Sequence, residues 1–158
     1  MIAYVDMFSG ISGDMTLGAL IDLGVPVDWL EDKLSDVLGG FKIKTKQVYK
    51  HHLRATDLVV EIKEDDSSSR HYSDIKHLIE KSDLSSKVKE NSLNAFKKIA
   101  RAESNIHGKK IENIHFHEIG GIDSIVDIIG TFLCVEYLGI NKVYASKVPL
   151  GSGFVTCS

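Results

Sequence analysis

Apolar positions first gather in a short run over residues 2–7, with Tyr4 and Val5, which meets Ser9-Gly10-Ile11-Ser12-Gly13 before helical spacing sets in at Met15. This predicts a strand, a glycine-bearing loop and a helix. The helix would bury Met15, Leu17, Leu20, Ile21 and Leu23, and Gly24-Val25-Pro26 would stop it. Trp29, Leu30, Leu34, Val37 and Leu38 predict a second helix over 27–38, with Asp28 as N-cap and Gly39-Gly40 at its end. Residues 41–46 alternate and 58–63 are rich in β-branched side chains, so the two segments read as a long hairpin. Residues 64–69 are acidic and serine-rich without an apolar side chain, hence a solvated loop. Tyr72, Ile75, Leu78 and Ile79 mark a short helix. Ser82-Asp83 then caps a longer one that carries Leu84, Val88, Ala95, Phe96, Ile99 and Ala102 and closes at His107-Gly108. Residues 111–116 read as a strand, 122–138 as a helix apolar on nearly every side, and 142–148 as a strand running to Pro149-Leu150-Gly151-Ser152-Gly153.

The order β-α-α-β-β-α-α-β-α-β predicts an α/β fold: a layered domain with a mixed sheet, its first and last long strands parallel through right-handed crossovers. Neither a repeat nor a linker interrupts residues 1–158, which read as a single domain. Residues 154–158 are strand-like again and stop without a turn, so the chain is expected to be a fragment of something longer.

Composition narrows the classes. With 43% apolar and 26% charged residues and only 2 prolines in 158, the chain is neither disordered nor fibrous. A chain of this size buries roughly 70% of the surface that its unfolded form exposes, so a metal would serve function rather than folding. Nineteen Lys and Arg against 22 Asp and Glu give a net charge of -3, which argues against nucleic acid and anionic lipid as partners. Cys134 and Cys157 are the only thiols and no basic segment precedes an apolar run at Met1, which fits a reduced, cytoplasmic protein. The longest nearly apolar stretch, 128–135, falls far short of the ~20 residues of a membrane span.

Two constellations bear chemistry. In His115-Phe116-His117-Glu118 the imidazoles stand two apart, on one face of an extended segment, and imidazole suits nickel, zinc and copper. Asp123 and Asp127 follow one helical turn apart in the apolar helix. Like charges so placed repel by a few tenths of a kcal/mol in water and more when buried, and a cation between them reverses the sign. The plainer reading makes Asp123 a helix-dipole charge, Asp127 a solvated residue and the histidines strand-end residues. The second constellation is the loop of Ser9, Gly10, Ser12 and Gly13, whose backbone N–H groups at a helix N-terminus suit a phosphate. Asp6 and Asp14 flank it and would repel a phosphate unless a cation lay between; an ordinary cap by Ser12 is the alternative. The loop and the His115 segment both flank strand ends, so they are expected side by side. Arg70-His71 could touch an anion but reads better as a solvated helix start, His51-His52 as an exposed turn, and Cys134 as a small core residue. His77 and His107 find no partner by spacing, and Gly151-Ser152-Gly153 reads equally well as an anion loop or a turn.

The run from Asp6 to Met15, the segment His115-Phe116-His117-Glu118-Ile119-Gly120 with Asp123-Ser124-Ile125 and Asp127, and Pro149-Leu150-Gly151-Ser152-Gly153 together resemble the LarC family of nickel insertion proteins, in order and over the whole chain. The resemblance implies a CTP-dependent cyclometallase, a lyase. It would place Ni²⁺ into a pyridinium bisthiocarboxylate mononucleotide to form the nickel pincer cofactor, with lactate racemase apoprotein as recipient. It implies that the chain is the N-terminal part of the family's longer protein, and the reading of the residues points the same way as the resemblance, with His115, His117, Glu118, Asp123 and Asp127 at the metal and Ser9, Gly10, Ser12 and Gly13 at the phosphate, and Asp6 and Asp14 nearby. It further implies a C-terminal domain that binds CTP with Mn²⁺ or Mg²⁺, and leaves room for a homo-oligomer. Two other classes use the same residues: a metal-dependent phosphohydrolase, and a non-catalytic module for substrate binding and oligomerisation.

Overall fold

The structure, a computed structural model, describes residues 1–62, 70–116, 119–149 and 153. Its elements are β1 (Ile2–Val5), α1 (Gly13–Asp22), α2 (Val27–Ser35), β2 (Phe41–Lys50), β3 (Leu53–Ile62), α3 (Tyr72–Lys81), α4 (Ser86–His107), a 3-10 turn (Ile111–Asn113), α5 (Ile122–Tyr137) and β4 (Lys142–Ala145). The α/β class holds, and the order departs from expectation at one place. Residues 111–116 are not a strand. Ile111 and Ile114 stand three apart, the spacing of a 3-10 turn, and the Ile114 N–H donates to the Ile111 carbonyl at 3.2 Å. Only His115 enters a bridge, antiparallel to His71.

β1 pairs in parallel with β4, from Ile2 opposite Lys142 to Val5 opposite Ala145, as expected of the first and last strands. β2 and β3 form the expected antiparallel hairpin, in register from Phe41 with Ile62 to Lys50 with Leu53. Among the described residues the strands make two separate two-stranded sheets rather than one mixed sheet. Helix α1 is the reason. Gly18 lies so close to β3 that a Cβ there would sit 2.3 Å from the Thr56 carbonyl oxygen, so the hairpin lies against the helix rather than edge-on to β1. Phe41, Ile43 and Leu58 are buried at the root of the hairpin, while ion pairs Lys44–Glu61 (2.7 Å) and Lys46–Asp57 (3.0 Å) lie on its exposed face. At the tip His51 and His52 take φ of 48° and 67°, the left-handed pair that matches the strand twist in a two-residue turn. Both are exposed, as expected.

Helix ends shift by a few residues. Pro26, not Asp28, is the N-cap of α2, and Asp28 falls in its first turn. That helix stops at Ser35, after which the Val37 and Leu38 N–H groups donate back to the Leu34 carbonyl. Ser82 terminates α3, its hydroxyl donating to the Ile79 carbonyl at 2.7 Å, and Ser85 caps α4 by accepting from the Val88 N–H at 3.2 Å. Gly108 (φ 62°) ends α4 in the left-handed conformation expected of a C-terminal glycine. Helix α5 runs through the core, burying Ile122, Ile125, Val126, Ile129, Leu133 and Cys134.

Replacing Gly18 by Ala should separate α1 from β3 and lower stability by about 1–3 kcal/mol. Urea unfolding measures it; an unchanged midpoint would show that the contact has slack.

Candidate functional site

The loop after β1 turns sharply: the Gly10 N–H donates to the Met7 carbonyl at 3.0 Å, and the Met7 N–H donates to the Ser146 hydroxyl at 2.8 Å just after β4. Asp6, Ser9 and Ser12 are exposed. Ser12 occupies the N-cap position of α1, but its hydroxyl donates to the Asp14 carboxylate rather than accepting from the helix. No side chain therefore caps the first turn of α1. Gly13, the first residue of the helix, touches Asp127 of α5: a Cβ at Gly13 would meet Asp127 Oδ2 at 2.2 Å. The fold thus brings the loop and the second acidic residue of α5 together.

Asp127 is half-buried, and its Oδ1 is buried without a hydrogen-bond partner. Burial, with the charges of Asp14 and Asp123 added, pushes its carboxyl from 3.8 up to about 6. Burial disfavours the ionised form and two neighbouring carboxylates disfavour it further. Asp14 and Asp123 are themselves exposed. The conflict visible in the sequence, a carboxylate within an apolar helix, persists in the fold without a donor to relieve it.

The second cluster is built on two backbone segments. The Tyr72 N–H donates to the Ile114 carbonyl and the Phe116 N–H to the Arg70 carbonyl, both at 3.1 Å. The bridge seats the His71 and His115 rings 4.6 Å apart at 56°. Gly120 admits this approach, since a Cβ there would lie 2.7 Å from the Arg70 nitrogen, and the Arg70 guanidinium donates to the Gly120 carbonyl at 3.1 Å. His71 is thus a neighbour of His115 that the residue spacing did not point to: the two are joined by pairing across 44 residues, which leaves no local periodicity.

His117, Glu118, Gly151 and Ser152 lie outside the described residues. Among the described residues no group of three or more His, Cys, Asp or Glu side chains is arranged to hold a metal ion. Cys134 is fully buried and burial pushes its thiol up to about 12, so it is a core residue and no nucleophile. His107 finds a partner in Glu103 at 3.1 Å, one turn back on α4. No helix among the described residues is long and apolar enough to cross a membrane.

Comparison with known proteins adds the family. The profile described as nickel insertion protein matches residues 3–158. A relative from Clostridium kluyveri, named pyridinium-3,5-bisthiocarboxylic acid mononucleotide nickel insertion protein, is 45% identical over 170 residues, covering 99% of this chain and 43% of that protein. One of the same name from Acetivibrio thermocellus is 42% identical over 165 residues, covering 99% and 40%. A third, from Geotalea uraniireducens and provisionally named for nickel insertion, is 47% identical over 157 residues, covering 98% and 40%. The chain spans about 40% of the length of the curated relatives it matches. No solved structure matches it. The phosphohydrolase and non-catalytic alternatives find no support in these names.

The sign of the Asp127 effect follows from its raised value. Below pH 3.8 the carboxyl is protonated folded and unfolded and contributes nothing. Between about 4 and 6 the folded state keeps a proton that the unfolded state has lost, so stability falls as pH rises, and above 6 the full deficit remains. Asp127→Asn should therefore melt higher than the original at pH 7.5, by roughly 2–4 °C per kcal/mol removed, and the two curves should converge near pH 4. Melts that coincide across this range would place the carboxylate in solvent.

Proposed function

The chain belongs to the nickel insertion protein family, and from that membership we propose that it takes part in placing nickel into a pyridinium bisthiocarboxylate mononucleotide, the acceptor in the names of two relatives. The observation that carries the reading is Asp127: a half-buried carboxylate with a partnerless oxygen, set beside Asp14 and Asp123 at an uncapped helix N-terminus. Such a group gains most from a cation.

On this reading Asp123 and Asp127, with His115, His117 and Glu118, handle the metal, and Asp6 and Asp14 lie at its border. Mixed imidazole and carboxylate donors hold Ni²⁺ loosely enough to release it, which a cage of thiolates would not. The loop of Ser9, Gly10, Ser12 and Gly13 takes the acceptor's phosphate, its backbone N–H groups favouring an anion once a cation offsets the carboxylates. Forming the nickel to carbon bond breaks a ring C–H bond, and the proton passes to a histidine or carboxylate beside the metal. Residues 1–158 act as one domain of the N-terminal region. The remaining length of the relatives supplies the site for CTP with Mn²⁺ or Mg²⁺, and the cytoplasmic recipient of the finished cofactor is lactate racemase apoprotein.

Calorimetric titration of the chain with Ni²⁺ tests the metal assignment. Replacing His115 and His117 together by Ala should weaken nickel binding at least tenfold, about 1.4 kcal/mol, with the circular dichroism unchanged. Equal affinity in the double variant would reject these residues as nickel ligands.

A further inference from the structure

His71 sits opposite His115 at a non-hydrogen-bonded position of an antiparallel pair: the flanking N–H groups of Tyr72 and Phe116 make the two bonds, and neither histidine bonds the other's backbone. This position brings opposed Cβ atoms closest and sends both side chains to the same face. We propose that His71 and His115 together form a two-imidazole binding site for a divalent transition metal, the place where nickel is first held as cargo. The proposal rests on the reading that this region handles nickel, and adds to it a ligand, His71, from the far side of the chain.

Three observations support a site rather than a ring contact alone. The first is spacing. Two imidazoles bound side by side to one metal at about 2.1 Å have ring centres about 4.5–5 Å apart; the observed separation is 4.6 Å, with the rings inclined by 56° rather than stacked flat. The second is the rigidity beneath them. Tyr72, Ile114 and Phe116, the neighbours of the two histidines along the chain, are buried, with Phe116 packed between Tyr72 and Phe96. The His71 N–H is tied to Asp74 Oδ2 at 2.9 Å. The cost of ordering the pair is thus met by folding, as a binding site requires. The third is exposure, since His71 is exposed and His115 half-buried with its Nδ1 turned inward.

The chemistry suits transfer. Two imidazoles leave the other positions on nickel to water, and the softer thiocarboxylate sulfurs of the acceptor can replace that water and draw the metal away. The Arg70 guanidinium, the nearest cation along the chain, is directed to the Gly120 carbonyl. A site next to that charge binds weakly, which is what a cargo site needs.

The test titrates the purified chain with NiSO₄ by calorimetry and follows the histidine ring protons by NMR during substoichiometric Ni²⁺ addition. In the original chain the His71 and His115 resonances should broaden together at the earliest additions. His71→Ala should weaken nickel binding about tenfold or more while His77→Ala leaves it unchanged. If nickel binds but the His71 resonances stay sharp, or His71→Ala keeps the original affinity, the two-imidazole site is overturned while the broader nickel reading stands. If the original chain takes up no nickel, both fall. The broadening is read on the unsubstituted protein, so a variant that fails to fold cannot obscure the answer.

Discussion

Helix α1 reaches its place only because it carries glycine where it meets its neighbours. Gly18 lets it lie against the Thr56 carbonyl of β3, and Gly13 lets its first turn meet the Asp127 carboxylate of α5. A methyl group at either position would collide within 2.3 Å, so the two contacts set how far the helix sinks between the hairpin and α5. The placement fixes the sheets as well. Because one side of α1 is occupied by β3, the hairpin is held away from β1 and β4, which among the described residues pair with each other. A functional consequence comes with the packing. An uncapped helix N-terminus is delivered to the one residue of the buried α5 helix whose charge the core cannot accommodate.

That juxtaposition has two opposing electrostatic parts. The first turn of α1 presents N–H groups and the positive end of a helix dipole, which favour a negative charge nearby. Burial, and after it the charges of Asp14 and Asp123, outweigh that dipole, since the Asp127 carboxyl is still displaced upward to about 6. Near neutral pH the cluster is therefore short of positive charge. A divalent cation corrects this in a way that a lysine could not, because it can leave again. The same reasoning makes the proposed phosphate loop compatible with its acidic surroundings: anion and cation are each disfavoured alone and compatible as a pair.

The parts of this arrangement that were legible in the sequence are those encoded locally. Leu17 and Leu20 are buried as the helical spacing of α1 requires, although Met15 and Leu23, expected on the same buried face, are exposed at its two ends. Ile122 to Leu138 has helical apolar spacing, the alternation of Lys42, Lys44 and Lys46 marks the exposed face of β2, and the run around Tyr4 pairs in parallel with β4. Asp127 stood out because charge and periodicity conflict there. What escaped was encoded at a distance. The segment 111–116 has a strand's composition, but among the described residues it forms a turn and one bridge, to His71. Ser82 resembles a cap as much as Ser85 does, and burial of Ser82 beneath the end of α3 decides between them. The contact of Gly13 with Asp127 joins residues more than a hundred positions apart, and no pattern along the chain announces it.

The two clusters differ in a way that bears on how a metal would be handled. The carboxylates are harder donors, partly withdrawn from solvent, and their mutual repulsion rewards any cation that arrives. The imidazoles are borderline donors at the surface, held by backbone pairing whether or not a metal is present. A pair with one exposed and one half-buried ring, fixed by backbone hydrogen bonds, discriminates by ligand type. The half-buried Asp127 carboxylate costs stability when its charge goes uncompensated and answers mainly to charge. The two clusters thus differ in origin: backbone pairing sets the His71 and His115 rings, while the packing of α1 against α5 sets Asp127.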